Sequence, residues 1–353
     1  MNKDSLQFLS ALIDAPSPSG FEQPVQRVVR ERAKQYADEI CTDLHGNVIA
    51  LKNPKGSPRV MLAGHCDQIG FMVQHITGEG YLKVASIGGI DPTVVPGNRV
   101  VVHSKKGPIM GLVGRKPIHL LNADERGKKL ELDEMFVDIG AKDKKDAEKH
   151  VEIGDCATFE LGLRKLSSDL VVGPGFDDKV GSFIVMEVLR LLADKPLKCA
   201  LYSVSTVQEE IGLRGACTSA FGIDPMVGIA VDVTHATDYP GVDAAKTGEI
   251  KMGEGPAIAR GPNINPVLGE LLLDTAKAKK IPYQVEPAPR GTGTDANAIQ
   301  ITRSGVAAGL VSVPNRYMHT PIEVVSLKDL ENTAKLLAET VLRIDGNVDF
   351  VPM

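Results

Sequence analysis

The chain has 353 residues, of which 43% are hydrophobic and 24% are charged, and its formal net charge is −5. The length predicts about two domains, and the composition is ordinary for a globular protein with a sizeable core. The acidic charge and the lack of a long basic stretch argue against a nucleic-acid partner. No apolar segment has the length of a transmembrane helix, which argues against a membrane partner.

The cysteines and the amino terminus indicate a compartment. Five cysteines are scattered along the sequence, mostly inside apolar segments. Their odd number and irregular spacing favour reduced thiols over a disulfide framework. The first nine residues have the pattern of an amphipathic helix capped by Asp4 or Ser5, and not that of a signal peptide. We therefore expect a cytoplasmic protein.

The amino-terminal region predicts two helices followed by two strands. Apolar residues have helical spacing over residues 4–14 and 22–38, and a segment rich in proline and serine separates these two stretches. Short strands are predicted around residues 44–52 and 58–64.

The middle of the chain, between about residues 70 and 164, changes to short β-prone runs that are punctuated by glycine, at 81–85, 99–103 and 108–113. These runs predict a small β-barrel-like domain that is inserted into a larger one. Residues 118–129 change from apolar to charged, which predicts an exposed loop. The expected division is a main domain of residues 1–69 and 165–353 and an inserted β-rich domain of residues 70–164.

Apolar β-like runs and helical segments alternate after residue 170. The helices are predicted near residues 179–194, 265–280 and 327–344. Such alternation is typical of a sheet that is covered by helices on both faces. The predicted fold class is therefore α/β, with a mixed central sheet sandwiched by helices and an inserted small β-barrel-like domain.

Residues that can bind a metal follow five of the apolar runs. Glu209 and Glu210 follow the run that ends at Val207, and the other four runs lead to His65 with Asp67, to Asp177 with Asp178, to Asp232 and to His319. The carboxyl ends of strands are where an α/β protein presents its chemistry. Each residue alone is more often an ordinary hydrogen-bonded, turn or surface residue. Five coincidences favour one site of nitrogen and oxygen ligands, which suits zinc, cobalt or manganese.

Six motifs in a fixed order carry a resemblance to a known family. They are Gly64-His-Cys-Asp-Gln-Ile-Gly-Phe71, Gly175-Phe-Asp-Asp-Lys-Val-Gly181, Gln208-Glu-Glu-Ile-Gly-Leu-Arg-Gly215, Asp232-Val-Thr234, Gly293-Thr-Asp-Ala296 and Arg316-Tyr-Met-His-Thr-Pro321. Over nearly all of its length, the chain resembles the M42 metallo-aminopeptidases. This group includes tetrahedral and glutamyl aminopeptidases and proteins labelled as endoglucanases.

The resemblance implies a site for two divalent metal ions per subunit. Asp177 would bridge the two ions, His65 and Asp232 would complete one site, and Glu210 and His319 would complete the other. Zinc is the first expectation, with cobalt or manganese as alternatives. Two such ions roughly 3.5–4 Å apart can share a hydroxide, lower its pKa and hold the oxyanion of a tetrahedral intermediate.

Two further residues receive catalytic roles from the resemblance. Glu209 would be the general base that takes the proton of the water and hands it to the leaving amine. Asp67 would accept the second N–H of the His65 imidazole and fix its tautomer. The bond between Asp177 and Asp178 is cis in the relatives, and we expect the same here.

The implied activity is hydrolysis of the amino-terminal residue from peptides that have a free N-terminus. The inserted domain would drive assembly of a homo-oligomer, a dodecamer built from dimers. For the pocket that holds the first side chain, the family uses the segments after the Asp232 strand and around Gly293-Thr-Asp-Ala296. Arg260 is a candidate to pair there with acidic side chains, which predicts a preference for Glu or Asp.

Three alternatives remain open at this stage. A metal-binding or scaffolding relative would lack turnover, although no predicted ligand or base is missing. A carboxypeptidase-like enzyme or an N-acyl-amino-acid deacylase would need an arginine clamp, for which Arg260, Arg290 and Arg316 cannot be placed from sequence. A glycosidase would need two carboxylates beside a sugar without metal ligation.

Overall fold

The structure is a computed structural model that describes residues 1–353, apart from the side chain of residue 125. Polar caps start several helices: Asn2, Asn265 and Ser326 each accept a hydrogen bond from a first-turn amide of the helix that follows. The helices are α1 (Lys3–Asp14), α2 (Gln23–Ala33), α3 (Ala123–Arg126), α4 (Lys144–Ala147), α5 (Phe176–Leu191), α6 (Arg214–Ile223), α7 (Ala244–Thr247), α8 (Pro266–Lys279), α9 (Asp295–Gln300) and α10 (Leu327–Val341).

The strands divide between a large mixed sheet and a closed barrel. In chain order they are β1 (Glu39–Thr42), β2 (Val48–Lys52), β3 (Arg59–His65), β4 (Gly70–Ile76), β5 (Leu82–Ile87), β6 (Arg99–Ser104), β7 (Gly107–Arg115), β8 (Met135–Asp138), β9 (Cys156–Phe159), β10 (Arg164–Lys165), β11 (Leu170–Gly173), β12 (Ala200–Thr206), β13 (Val227–His235), β14 (Ala257–Arg260), β15 (Gln284–Pro287), β16 (Ala307–Arg316) and β17 (Glu323–Ser326).

The large sheet has parallel strands at its centre and antiparallel strands toward its edges. Its order is β1-β2-β12-β3-β13-β16-β17-β11-β10, and β14 and β15 branch from β16. The register of β12 with β3 pairs Thr206 with His65, so that both strands end at the same edge. The strand β13 is parallel to both β3 and β16. The carboxyl ends of several strands therefore lie at the same edge of the sheet.

Both faces of the sheet are covered by helices, because successive side chains of a strand point to opposite faces. Val60 and Leu62 of β3 belong to the core that includes α1, α2, α5, α8 and α10. Met61 and Ala63 of the same strand pack into a second core with residues of α6 and α9. The α/β fold class with a helix-sandwiched mixed sheet is confirmed.

The inserted region forms a closed antiparallel barrel in the order β4-β5-β8-β7-β6-β9. Its own core includes Phe71 and Phe159, whose ring centroids are 5.3 Å apart in an edge-to-face arrangement. The predicted β-barrel-like insert is thus confirmed as part of the fold. The expected loop over residues 118–129 is only partly correct, since it contains a short 3₁₀ turn and α3.

The end of one helix and the presence of two others differ from the sequence prediction. Helix α2 ends at Ala33 and not near residue 38, because the chain turns to enter the β1–β2 hairpin. There the Asp38 N–H donates to the Leu51 carbonyl, and the Asp38 carboxylate accepts from the Asn53 N–H at 2.7 Å. The short helices α6 and α9 were not predicted.

Two other sequence-level expectations concern the thiols and the membrane. All five cysteines are free, in agreement with the prediction of reduced thiols. Within the part of the chain that the structure describes, no helix is both long enough and apolar enough to span a membrane.

Helix α5 crosses β3 where two glycines face each other. A Cβ atom on Gly64 would lie 2.3 Å from the carbonyl carbon of Gly181, so no side chain fits at this crossing. The close approach lets the Asp178 carboxylate accept hydrogen bonds from the amides of His65, at 3.1 Å, and Gly181, at 2.9 Å. The crossing therefore fixes the start of α5 against the end of β3.

We predict that Gly64→Ala lowers the free energy of unfolding by about 1–3 kcal/mol, because the added methyl group overpacks this crossing. The effect should appear as a lower Tm in a thermal scan at fixed protein concentration. Gly222→Ala in α6 is the control, since its Cβ would meet no atom within 4 Å. An unchanged Tm for Gly64→Ala would contradict the proposed tightness of the crossing.

Candidate metal centre

A cavity of about 670 Å³ opens at the carboxyl edge of the central strands. It is lined by the five predicted metal ligands and by the predicted base: His65, Asp177, Glu209, Glu210, Asp232 and His319. The structure thus brings together residues that are up to 254 positions apart in the sequence. Asp67 lies beneath them and is fully buried.

The paired glutamates are held in the loop that follows β12. Gln208 has a left-handed backbone with φ of 56°, which turns the chain away from the strand. The amides of Glu209 and Glu210 then donate to the Asp67 carboxylate, at 3.0 Å and 3.2 Å. Ser19 Oγ donates to the same carboxylate at 2.6 Å. Asp67 therefore orients the backbone of both glutamates.

Asp177 lies between the two histidines. Its Oδ1 is 3.2 Å from His65 Nε2, and its Oδ2 is 3.1 Å from His319 Nε2. Glu210 Oε1 is 3.4 Å from His319 Nε2. The peptide bond between Asp177 and Asp178 is cis, as the resemblance implied.

The possible ligand atoms form two groups, one of which contains Asp177. His65, Glu209 and Asp232 form one group, and Asp177, Glu210 and His319 form the other; within each group the ligand atoms lie within 4.8 Å of one another. Asp232 reaches its group from inside β13, which continues to His235 through its pairing with β16. The expectation that a strand ends just before Asp232 was wrong, because pairing with β16 extends the strand by four residues, from Asp232 to His235.

Both imidazoles present Nε2 to the centre. His319 Nδ1 is 2.7 Å from the Gly89 carbonyl oxygen, and His65 Nδ1 is 3.0 Å from the Asp67 carbonyl oxygen. A carbonyl can only accept, so each Nδ1 carries the proton and each neutral ring keeps an Nε2 lone pair. The Asp67 carboxylate lies 3.4 Å from His65 Nδ1, which is farther than the Asp67 carbonyl oxygen. The backbone carbonyl of Asp67 therefore accepts the imidazole N–H, and not the side chain as the resemblance implied.

Glu323 is a site residue that the sequence analysis missed. Its Oε2 accepts from the Asp177 N–H at 2.9 Å, and its Oε1 accepts from the His319 N–H at 3.2 Å. The side chain is buried, and Asn315 Nδ2 donates to it at 3.3 Å. One carboxylate therefore holds the backbones of two predicted ligands. The only sequence signal is an acidic residue at the start of a short apolar strand.

Burial shifts the pKa values of the site strongly. Burial raises the pKa of Glu209 to about 10 and that of Glu323 to about 8, and it raises the pKa of Asp232 well above its usual range. Burial lowers the pKa of His319, but hydrogen bonds with Asp177 and Glu210 outweigh burial and raise it to about 11. For Asp177, burial raises the pKa, but hydrogen bonds from the two histidines outweigh it and lower the pKa below its usual range.

The raised pKa values belong to buried acids that, in the described part of the chain, have no lysine or arginine partner. Among the described residues, no lysine or arginine forms an ion pair with any of the carboxylates in the two groups. Glu210 Oε1 is also buried without a hydrogen bond of good geometry. Buried carboxylates are normally paired or bound to a metal. The donor set of imidazole nitrogens and carboxylate oxygens therefore fits divalent cations such as zinc, cobalt or manganese.

The three arginines that sequence could not place lie in different surroundings. Arg260 is exposed, lies 3.5 Å from Glu270 and does not line the cavity, so its predicted role in binding acidic side chains is wrong. Arg316 forms two hydrogen bonds with Asp238, at 2.9 Å and 2.6 Å. Arg290 lines the cavity, as do Gly293 and Thr294 of the segment that was expected to contact substrate.

Comparison with known proteins identifies the class as aminopeptidases. The family profile described as M42 glutamyl aminopeptidase matches residues 46–336. A lysyl aminopeptidase of Pyrococcus furiosus is 41% identical, over 98% of this chain and 99% of that protein. The chain therefore belongs to the M42 family of aminopeptidases.

Two solved structures have the same fold along the whole chain. The TET aminopeptidase of a marine sediment Thaumarchaeota archaeon superposes with a TM-score of 0.93 at 36% identity, and the match covers 97% of each chain. The TET1 peptidase of Pyrococcus horikoshii, described as assembling into a tetrahedron or a large octahedral shell, gives a TM-score of 0.86 at 28% identity. That match covers 96% of this chain and 100% of the Pyrococcus chain.

Proposed function

We propose that the chain is a metal-dependent aminopeptidase that hydrolyses the amino-terminal residue from peptides. Two divalent ions per subunit would be held by His65, Asp177, Glu210, Asp232 and His319. The observation that carries this proposal is the position of Asp177, whose two oxygens each face the Nε2 of a different histidine. When bound, such ions supply Lewis-acid polarisation of the scissile carbonyl and a water of lowered pKa.

Glu209 is the residue we assign to proton transfer. Its Oε2 lies 3.7 Å from His65 Nε2, and its side chain faces the same cavity as the proposed ligands. Burial favours the protonated form of this carboxyl, and nearby cations would favour the ionised form, so it can both accept and return a proton. In the reaction Glu209 takes a proton from the attacking water and delivers it to the leaving amine. Asp67 keeps Glu209 in place through its amide.

The structure gives little support to the other hydrolase classes. A glycosidase needs one carboxylate on each side of the bond that is cut, without metal ligation. Here each of the two groups of possible metal ligands also includes a histidine. A carboxypeptidase needs a cationic clamp for the terminal carboxylate, and of Arg260, Arg290 and Arg316 only Arg290 lines the cavity. Aminoacyl substrates with and without an acetylated N-terminus separate these classes, because an aminopeptidase cleaves only the free amine.

We predict that Glu209→Gln and Glu210→Gln fail in different ways. Glu209→Gln should keep both metal ions and lose roughly 10²–10⁴-fold in kcat, because only the general base is removed. Glu210→Gln should bind less metal, because it loses a charged ligand. Elemental analysis of the metal-loaded proteins and initial rates on one aminoacyl substrate are the measurements.

The control for this pair is Glu331→Gln on α10, whose carboxylate pairs with the amino terminus outside the cavity. It should keep the metal content and the rate of the wild type. Near-normal turnover of Glu209→Gln, or loss of metal from it, would show that the two roles are assigned wrongly.

Removal of metal with a chelator should abolish turnover of the wild type, and zinc, cobalt or manganese should restore it.

A second prediction concerns Glu323. Glu323→Gln should weaken metal binding by about 10–100-fold, because an amide can accept at only one of the two oxygen positions that hold the amides of Asp177 and His319. Competition with a chromogenic chelator measures this affinity. Glu270→Gln, on the exposed face of α8, serves as the control. Equal affinities for Glu323→Gln and the wild type would contradict a positioning role.

We also propose that the chain forms a dodecamer built from dimers, with the barrel, residues 70–164, as the oligomerisation domain and residues 1–69 and 165–353 as the catalytic domain. The tetrahedral assembly of the Pyrococcus horikoshii relative supports this, because a dimer on each edge of a tetrahedron gives twelve subunits. The barrel strand β7 also exposes Met110 and Leu112, at 64% and 50% of their surface, which favours a partner surface.

Light scattering tests the assembly directly. Twelve copies of the 37.7 kDa chain give a mass of about 450 kDa. A mass of 37.7 kDa at all concentrations would rule out the dodecamer. Free cysteines throughout the chain also agree with a reducing cytoplasm as the proposed location.

A further inference from the structure

A carboxylate that belongs to neither ligand group lies in the same cavity. Glu286 on β15 lines the cavity, is half-buried and accepts a hydrogen bond from Thr234 Oγ1 at 2.6 Å. Thr234 is two residues beyond Asp232 on β13, so their side chains point to the same face and their Cα atoms are about 6.6 Å apart. Glu286 therefore lies in the cavity beside the proposed metal centre.

Glu286 has no strong cation near it within the free protein. Among the described residues, no lysine or arginine forms an ion pair with its carboxylate, and the basic group whose charge acts on it is the exposed His235. Burial raises the pKa of Glu286, and the hydrogen bond from Thr234 and the charge of His235 only partly oppose it. A half-buried carboxylate in a substrate cavity is stabilised by any ligand that brings a positive charge to it.

The walls that lead to Glu286 are apolar and small. Ala259, Leu310, Pro287 and Ala288 line the same cavity, and Ser312 leaves space at the wall. Such a surface fits the methylene groups of a lysine side chain, whose Cα-to-Nζ length is about 6 Å when extended.

Arg290 is the one charge in the cavity that favours the opposite preference. Its side chain is exposed at the cavity wall, so solvent and salt screen its charge. Glu286 is less exposed than Arg290, and a hydrogen bond from Thr234 holds its carboxylate in place. Water therefore screens the charge of Glu286 less than that of Arg290. The two charges together favour a basic side chain near Glu286 and do not favour an acidic one.

We propose that Glu286 is a specificity residue that binds the side-chain cation of the substrate's first residue, and that the enzyme prefers lysine or arginine at that position. The proposal rests on the proposed aminopeptidase function, because it assumes that the substrate's amino terminus lies at the metal centre. It reverses the preference for acidic residues that Arg260 suggested from sequence.

The test compares two fluorogenic aminoacyl amides, one of lysine and one of Nε-acetyl-lysine, which differ mainly in side-chain charge. For the metal-loaded wild type, we expect kcat/KM to be at least about tenfold higher for lysine, the factor that corresponds to 1.4 kcal/mol. In Glu286→Gln this ratio should fall by about 10–100-fold, and Glu286→Asp should give an intermediate ratio. Glu286→Lys should move the preference toward a glutamyl substrate.

Arg260→Gln is the matched control, since Arg260 is a charged residue on the neighbouring strand β14 that lies outside the cavity. Its lysine to acetyl-lysine ratio should equal that of the wild type. A wild-type ratio near one, or a ratio that Glu286→Gln leaves unchanged, would overturn the proposal. Where a Glu286 variant does not fold, the wild-type ratio and competitive inhibition by lysinamide against norleucinamide decide the same question.

Failure of this inference can be told apart from failure of the proposed function. If the metal-loaded wild type cleaves none of the aminoacyl amides, the aminopeptidase proposal fails. If it cleaves leucyl and acetyl-lysyl substrates as well as lysyl ones, the aminopeptidase proposal stands and only the role of Glu286 is refuted.

Discussion

The structure depends above all on the concentration of buried carboxylates at one edge of a parallel sheet. Parallel strands bring their carboxyl ends together, so acids that are far apart in sequence meet where little water reaches them. Such groups repel one another and are costly to ionise unless cations are present. The raised pKa values of Glu209, Asp232 and Glu323 express this cost. Divalent ions held by the proposed ligands would offset this cost, because each carboxylate would then face a cation.

A further set of acids, which does not face the centre, holds the backbone around it. Asp67 accepts from the amides of Glu209 and Glu210, Asp178 accepts from the amide of His65, and Glu323 accepts from the amides of Asp177 and His319. Backbone amides are weaker partners than cations, but they are fixed by the sheet and the helix starts. The proposed ligands are therefore oriented before any metal binds, which reduces the entropy that binding must overcome.

Much of this arrangement follows from local sequence pattern, and the rest depends on long-range pairing. Alternating apolar runs and helical spacing predict the sheet and its main helices, and residues after strands predict which side chains reach the cavity. The weak helix α6, with glycines at 215 and 222, has too little local signal. The continuation of β13 past Asp232 depends on β16, some eighty residues away. Glu323 and Glu286 look like ordinary strand residues until the sheet places them.

The topology separates metal binding from side-chain selection. The proposed ligands come from β3, β13, the start of α5 and the loops after β12 and β16, all close to the centre of the sheet. Glu286 comes from β15, which pairs with β14, and its hydrogen bond is with Thr234, two residues beyond the proposed ligand Asp232. A change of charge at position 286 therefore alters the wall of the cavity without moving a ligand. Because β14 and β15 branch from the sheet and do not extend it, substrate preference can change while the metal centre stays as it is.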